Sequence, residues 1–96
     1  MSVVRVNHFE ARPGAEQRLH DFLRSVIETI VACPGCESCR LLRSLDNPAK
    51  LVIIEQWDRT ESHAAAAKAI PPARMAEVMG LIAAPPSGAF YQESMA

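Results

Sequence analysis

Apolar positions along this chain follow two periods, and the places where the period changes mark its elements. Val3, Val4, Val6 and Phe9 form a β-branched and aromatic stretch that stops at Arg12-Pro13-Gly14, so Val3 to Phe9 reads as a first strand. From Ala15 to Ala32 the apolar residues are Leu19, Phe22, Leu23, Val26, Ile27, Ile30 and Val31, the spacing of one helical face. Glu16, Gln17, Arg18, Arg24, Ser25 and Glu28 take the wet side, and Pro34-Gly35 ends the helix. Cys36 to Leu45 reads as a strand returning at Asp46-Asn47-Pro48, and Leu51 to Trp57 as its hairpin partner. Thr60 is placed to cap a second helix, which carries Glu61 in its first turn and runs through Ala64 to Ala69 until Pro71-Pro72 breaks it. A short amphipathic stretch with Met75, Val78, Met79 and Ile82 on one face follows. Ala89 to Gln92 makes a last strand.

The order is β-α-β-β-α-β, an α+β fold of the ferredoxin-like type: an antiparallel sheet with helices on one face, as a single domain over residues 3–94. Leu51-Val52-Ile53-Ile54 adds a quaternary expectation. Four consecutive apolar residues mean that both faces of this strand avoid water, while the helices cover only one. A homodimer with two sheets packed face to face supplies the missing cover, the alternative being burial by the chain's own C-terminal segment. On that expectation a charge at Ile53 splits the dimer.

Composition narrows the function classes. With 96 residues, ten Lys or Arg, eleven Asp or Glu and a net charge of -1, the chain lacks the basic footprint of a nucleic-acid binder. No apolar run is long enough to span a bilayer, and the first residues lead into a strand pattern without a signal-peptide layout, so a cytoplasmic protein is expected. Cys33, Cys36 and Cys39 are an odd set within one short segment, which does not read as a disulfide framework. Their Cys-x-x-Cys-x-x-Cys spacing suggests zinc or iron–sulfur ligation, but no fourth cysteine or nearby histidine completes it, and small buried residues are the preferred reading. Glycine-rich phosphate loops and Ser-His-Asp arrangements are absent from the sequence.

An ordered set of short motifs remains: Asn7-His8-Phe9 running to Pro13-Gly14, then Pro34-Gly35-Cys36, then Glu55-Gln56-Trp57, then Glu61-Ser62-His63. In this order and spacing the chain resembles the antibiotic biosynthesis monooxygenase domain, a dimeric α+β barrel family, over roughly residues 3 to 94. The resemblance implies a pocket between sheet and helices in each subunit, and an activity that oxidises small aromatic, quinol- or anthrone-like compounds with O2 and no cofactor. A non-catalytic small-molecule-binding dimer and a small-carbonyl isomerase are the alternatives. Two departures matter. Many members carry a histidine three residues beyond the position of His63, where this chain has Ala66. The haem-degrading branch needs a tryptophan and a proximal histidine on the helical segment after Trp57, and residues 64–69 and 73–82 contain neither.

Cofactor-free oxygenation needs a base, donors for the anion it creates, and exclusion of water. Asn7, Trp57 and His63 are the candidate catalytic residues, and Tyr91, Arg40 and Phe9 the candidate substrate contacts, with no metal called for. Asn7 is a potential donor or a plain strand amide, and Trp57 a stacking surface or a wedge between sheet and helix. His63 and His8 titrate in the right range, but period two puts His8 on the face opposite Asn7 and Phe9. Arg43 is a second cation for an anion, and His20 belongs to the outer side of the first helix. Glu55, a carboxylate in an apolar strand, reads as an ion pair at the dimer interface in preference to a base with a raised pKa.

Overall fold

The computed structural model describes residues 2–94. Strands β1 (Val3–Glu10), β2 (Cys36–Arg43), β3 (Lys50–Trp57) and β4 (Ser87–Tyr91) form one sheet, and helices α1 (Glu16–Val31), α2 (Thr60–Lys68) and α3 (Pro72–Met79) complete the fold. The strand order is β2-β3-β1-β4 with every neighbouring pair antiparallel, which is the split βαβ arrangement of ferredoxin-like folds. Because β3 lies between β2 and β1, its side chains have neighbours on both sides along the whole strand.

Period two divides β3 cleanly. Leu51, Ile53, Glu55 and Trp57 are all buried beneath the helices, whereas Val52 and Ile54 are half-buried on the other face and Gln56 is exposed. Leu51 and Ile53 join Leu19, Phe22 and Leu23 of α1, and Val78 and Ile82, in one core cluster. Burial of each such side chain contributes about 1.5–3 kcal/mol. A second cluster gathers Ile30, Ala66 and the fully buried Trp57 between α1, α2 and the sheet. The register Val6↔Ile54, His8↔Val52, Arg40↔Ile54, Leu42↔Val52 and Val4↔Tyr91 defines the opposite face, which no helix covers among the described residues and where Val4, Val6, Val52 and Ile54 are only half-buried.

Several boundaries differ from those read off the sequence. Leu45 lies beyond β2 and is fully exposed in a turn held by Ser44, whose Oγ accepts from the backbone N–H of Asp46 and Asn47. Thr60 is the first residue of α2, not its cap: its hydroxyl donates to Glu61, and Ser62 turns back to donate to Asp58 at 2.5 Å. Met75 and Met79 are half exposed, so α3 gives the core only Val78. Ile53 points into the helix-covered core, so the residue that tests sheet-to-sheet packing is Ile54, one position on.

The link from α1 to β2 turns on Gly35, whose φ of +88° is a left-handed conformation that favours glycine. A side chain there would overlap Ser62 and Asp58, so the turn lies directly against the start of α2. Its carbonyl accepts from Asp58 N at 2.9 Å, which ties the end of β3 to the end of α1. This fixes where α2 begins, and therefore where His63 is carried.

Candidate functional site

Between the sheet and the helices lies a cavity of about 230 Å³, walled by residues of β1, β3, α1, α2, α3 and the start of β4. An engineered apolar cavity of ~150 Å³ accepts benzene, so this space suits a ligand of one or two rings. Most of the wall is apolar: Phe9, Phe22, Leu23, Val26, Ile30, Ile53, Val78 and the two methionines of α3. The polar groups concentrate on Arg5, Asn7, Glu55, Trp57 and His63.

Alternation along two adjacent strands creates that concentration. Arg5 lies opposite Glu55, Asn7 opposite Ile53 and Val3 opposite Trp57 in the β1–β3 register, so Arg5, Asn7, Glu55 and Trp57 share one face. Glu55 is only 3% exposed. A buried carboxylate without partners is costly, and this one has two. Asn7 Nδ2 donates to Oε2 at 2.9 Å and Trp57 Nε1 donates to Oε1 at 2.8 Å. Arg5 Nε in turn donates to Asn7 Oδ1 at 3.0 Å, and these two bonds together fix the orientation of the Asn7 amide. The result is a chain of hydrogen bonds, Arg5 to Asn7 to Glu55, closed from the other side by the indole.

His63 reaches this group from α2. Its Nε2 is 3.9 Å from Glu55 Oε1, beyond a direct hydrogen bond but within strong electrostatic reach. Its ring stands edge-on to Trp57, with centroids 5.7 Å apart, and to Phe90, at 5.1 Å. Burial is the largest influence on the imidazole and lowers its pKa below the usual 6.5; Glu55 opposes this and Arg5 reinforces it. The ring is therefore neutral at neutral pH, with a carboxylate placed to stabilise the proton it would accept.

Asn7, Phe9, Trp57 and His63, all read from the sequence, surround this one cavity. Arg40 and Tyr91 do not: both are exposed on the uncovered face, paired with Ile54 and Val4. His8 is exposed on that face too, and His20 pairs with Asp21 on α1 at 3.2 Å. The interface reading of Glu55 is corrected, since its carboxylate lies on the helix-covered face among cavity residues and away from the open one. Trp57 is fully buried between sheet and helices, and its indole N–H donates to Glu55 at the cavity wall. Arg5 and Arg74 were not singled out. The signal for Arg5 was its even spacing from Asn7; Arg74, on α3, donates to Ser25 and stacks over Phe22 at 4.5 Å.

The three cysteines are half-buried and unbridged. Burial, then the nearby charge of Glu55 and then Cys36, push the Cys39 thiol up to about 12, and burial is also the main cause of the raised pKa of Cys36. Such thiols are poor nucleophiles and poor metal ligands near neutral pH. Among the described residues no group of three or more His, Cys, Asp or Glu is arranged to hold a metal ion, and no helix is long and apolar enough to cross a membrane.

Comparison with known proteins places this architecture. Among solved structures the chain is similar to Rv0793 from Mycobacterium tuberculosis, with 23% identity, a TM-score of 0.85, and 100% of this chain and 98% of that chain covered. It is similar to SnoaB, a cofactor-independent oxygenase from Streptomyces nogalater, with 18% identity, a TM-score of 0.83, and 99% and 95% coverage. A conserved protein from Methanosarcina mazei has 16% identity and a TM-score of 0.86, with 98% and 94% coverage. At these identities the likeness is one of fold. No curated protein sequence matches significantly. Residues 2–70, well over half the chain, match the family described as Antibiotic biosynthesis monooxygenase, and the protein belongs to that family.

Proposed function

We propose that the protein is a cofactor-independent monooxygenase that oxidises a small aromatic, quinol- or anthrone-like compound in the cavity beneath its helices. The observation that carries this reading is the polar cluster at an apolar cavity wall, with His63 next to a Glu55 carboxylate already held by Asn7 and Trp57. Membership of the family supports it, as does the fold shared with an oxygenase that needs no cofactor.

The chemistry asks little of the protein beyond a proton acceptor and a dry, oriented site. His63 Nε2 takes the acidic proton of the bound substrate, and Glu55 stabilises the resulting imidazolium. The substrate anion passes one electron to O2, and the radical pair combines to a peroxide. The His63 imidazolium returns its proton to the peroxide anion, and loss of water from the hydroperoxide leaves a new carbonyl, so one oxygen atom enters the product and the other leaves as water. Asn7 and Trp57 are positioning residues here, because the donors they present go to Glu55. The apolar wall excludes solvent that would quench the anion.

Oxygen consumption by the metal-stripped protein, with a panel of dihydroxynaphthalenes and anthrones, tests the proposal. Uptake that is lost in His63→Gln and reduced in Glu55→Gln is expected. If the same compounds quench Trp57 fluorescence without oxygen uptake, the protein is a small-molecule-binding module; Ala66, three residues beyond His63 and buried against Trp57, favours that second reading.

The half-buried Val52 and Ile54 on the uncovered face further support a homodimer formed sheet to sheet. A single species at twice the chain mass in sedimentation equilibrium is the expected result.

A further inference from the structure

Arg5 spends only part of its hydrogen-bonding capacity within the polar cluster. Its Nε donates to Asn7, and its guanidinium lies over the Phe90 ring at 4.7 Å. Among the described residues no carboxylate comes within ion-pair distance of it. No buried side-chain nitrogen or oxygen among those residues lacks a partner, so the terminal nitrogens of Arg5 are open to the cavity or to solvent. The other cavity arginine differs: both terminal nitrogens of Arg74 are engaged, by Ser25 and by Glu77.

The backbone of β4 makes room for this arrangement. Gly88 is the register partner of Asn7, and a Cβ there would overlap Asn7 Oδ1 together with Nη2 and Cζ of Arg5. Any side chain at this position pushes Arg5 off Asn7, and so disturbs the chain of hydrogen bonds that ends on Glu55.

We propose that Arg5 is the anion-binding residue of the cavity, that the ligand is an aromatic hydroxyl compound held there in its ionised form, and that Gly88 is the positioning residue that keeps Arg5 in place. The proposal rests on the reading of the cavity as the ligand site. The electrostatics favour such a group. Glu55 is a buried negative charge beside the cavity and disfavours a second anion, and His63 is neutral until it takes the ligand's proton. A guanidinium stacked on a ring, with its terminal N–H groups open to the cavity or to solvent, supplies the compensation.

The test uses para-nitrophenol, whose ionised form is coloured and which ionises near neutral pH, with para-nitroanisole as a probe that cannot ionise. Spectrophotometric titration of the bound probe reads its ionisation directly. In the wild-type protein the bound nitrophenol ionises about one pH unit lower than the free compound, a tenfold preference for the anion. In Arg5→Met, which keeps apolar bulk over Phe90, the preference disappears or reverses because Glu55 remains, while para-nitroanisole binds as before. Gly88→Ala produces the same loss with Arg5 still present, and Arg5→Lys retains part of the preference. An Arg5→Met protein that still prefers the anion overturns the proposal, as does a wild-type protein that binds nitrophenol only in its neutral form. Anion preference without oxygen uptake leaves this inference standing and removes the oxygenase reading. Oxygen uptake that survives in Arg5→Met does the reverse.

Discussion

The two faces of β3 are built from the same run of residues and do different work. On the helix side Leu51, Ile53 and Trp57 are almost wholly buried, and so is Glu55, the most deeply buried charge among the described residues. On the other side Val52 and Ile54 are as apolar as their neighbours but only half covered. Hydrophobicity therefore does not identify the functional face. The face with the site is the one that tolerates a carboxylate, because the adjacent strand and α2 bring Asn7 and His63 to meet it. The open face has half-buried aliphatic side chains at its centre, with Arg40 and His8 exposed beside them, which suits association between copies.

Moving a charge by one residue should break this contrast most sharply. Ile53→Glu places an unpaired carboxylate in the main core and is expected to cost about 4–5 kcal/mol, enough to unfold a small domain. Ile54→Glu puts the same side chain on the open face, so the fold should persist and only association should be lost. Urea denaturation and sedimentation read the two effects separately. A dimeric Ile54→Glu protein would sink the sheet-to-sheet arrangement.

Next in size is Trp57, which belongs both to the core and to the cluster. Trp57→Ala should cost about 3–5 kcal/mol in unfolding free energy, since the indole is fully buried. Trp57→Phe keeps most of the packing but removes the donor to Glu55, and about 1–3 kcal/mol is expected for a buried acceptor that loses one partner. Equal losses in the two variants would show that the hydrogen bond, and not the packing, dominates. Asn7→Ala removes the other donor and should fall in the same ~1–3 kcal/mol range while also releasing Arg5. A melting curve identical to wild type would mean that Glu55 finds another partner, and would remove Asn7 from the cluster.

The unequal legibility of these features has a physical reason. Helix α1 and the β2–β3 hairpin followed from local periodicity, which a single segment carries complete. Which face of β3 meets the helices did not, because Leu51 to Ile54 are apolar at both parities. Glu55 could have been placed from its even spacing to Ile53 and Trp57, and Arg5 from its spacing to Asn7; parity within one strand was enough. Arg40 and Tyr91 required more. Their faces depend on the register of β2 against β3 and of β4 against β1, with a bulge between Cys36 and Ser38, and no local pattern encodes that. Thr60 failed as a cap for a subtler reason: Ser62, two residues later, bonds to Asp58, and the Gly35 turn against them sets where the helix starts.

The smallest expected effect is also the most specific to the site. His63 has its pKa lowered in the folded protein, chiefly by burial, so the unfolded chain binds a proton at a higher pH than the folded one does. Between the two values the unfolded state holds more protons, and stability must rise with pH. The stabilisation is therefore complete above about 6.5, the unfolded value, and is lost as pH falls through the lower folded value. His63→Gln should flatten this limb of the stability profile without changing the profile at higher pH. The same titration controls the proposed chemistry, because only the neutral imidazole accepts a proton, so activity should rise along an acid limb centred below pH 6.5. The Glu55→Gln variant sharpens the assignment. Glu55 is the group that raises the His63 pKa, so its removal should move the acid limb to still lower pH while weakening the base. A limb that stays in place in both variants would mean that a different group governs the titration, and that the buried face, for all its ordered donors, has only a structural role.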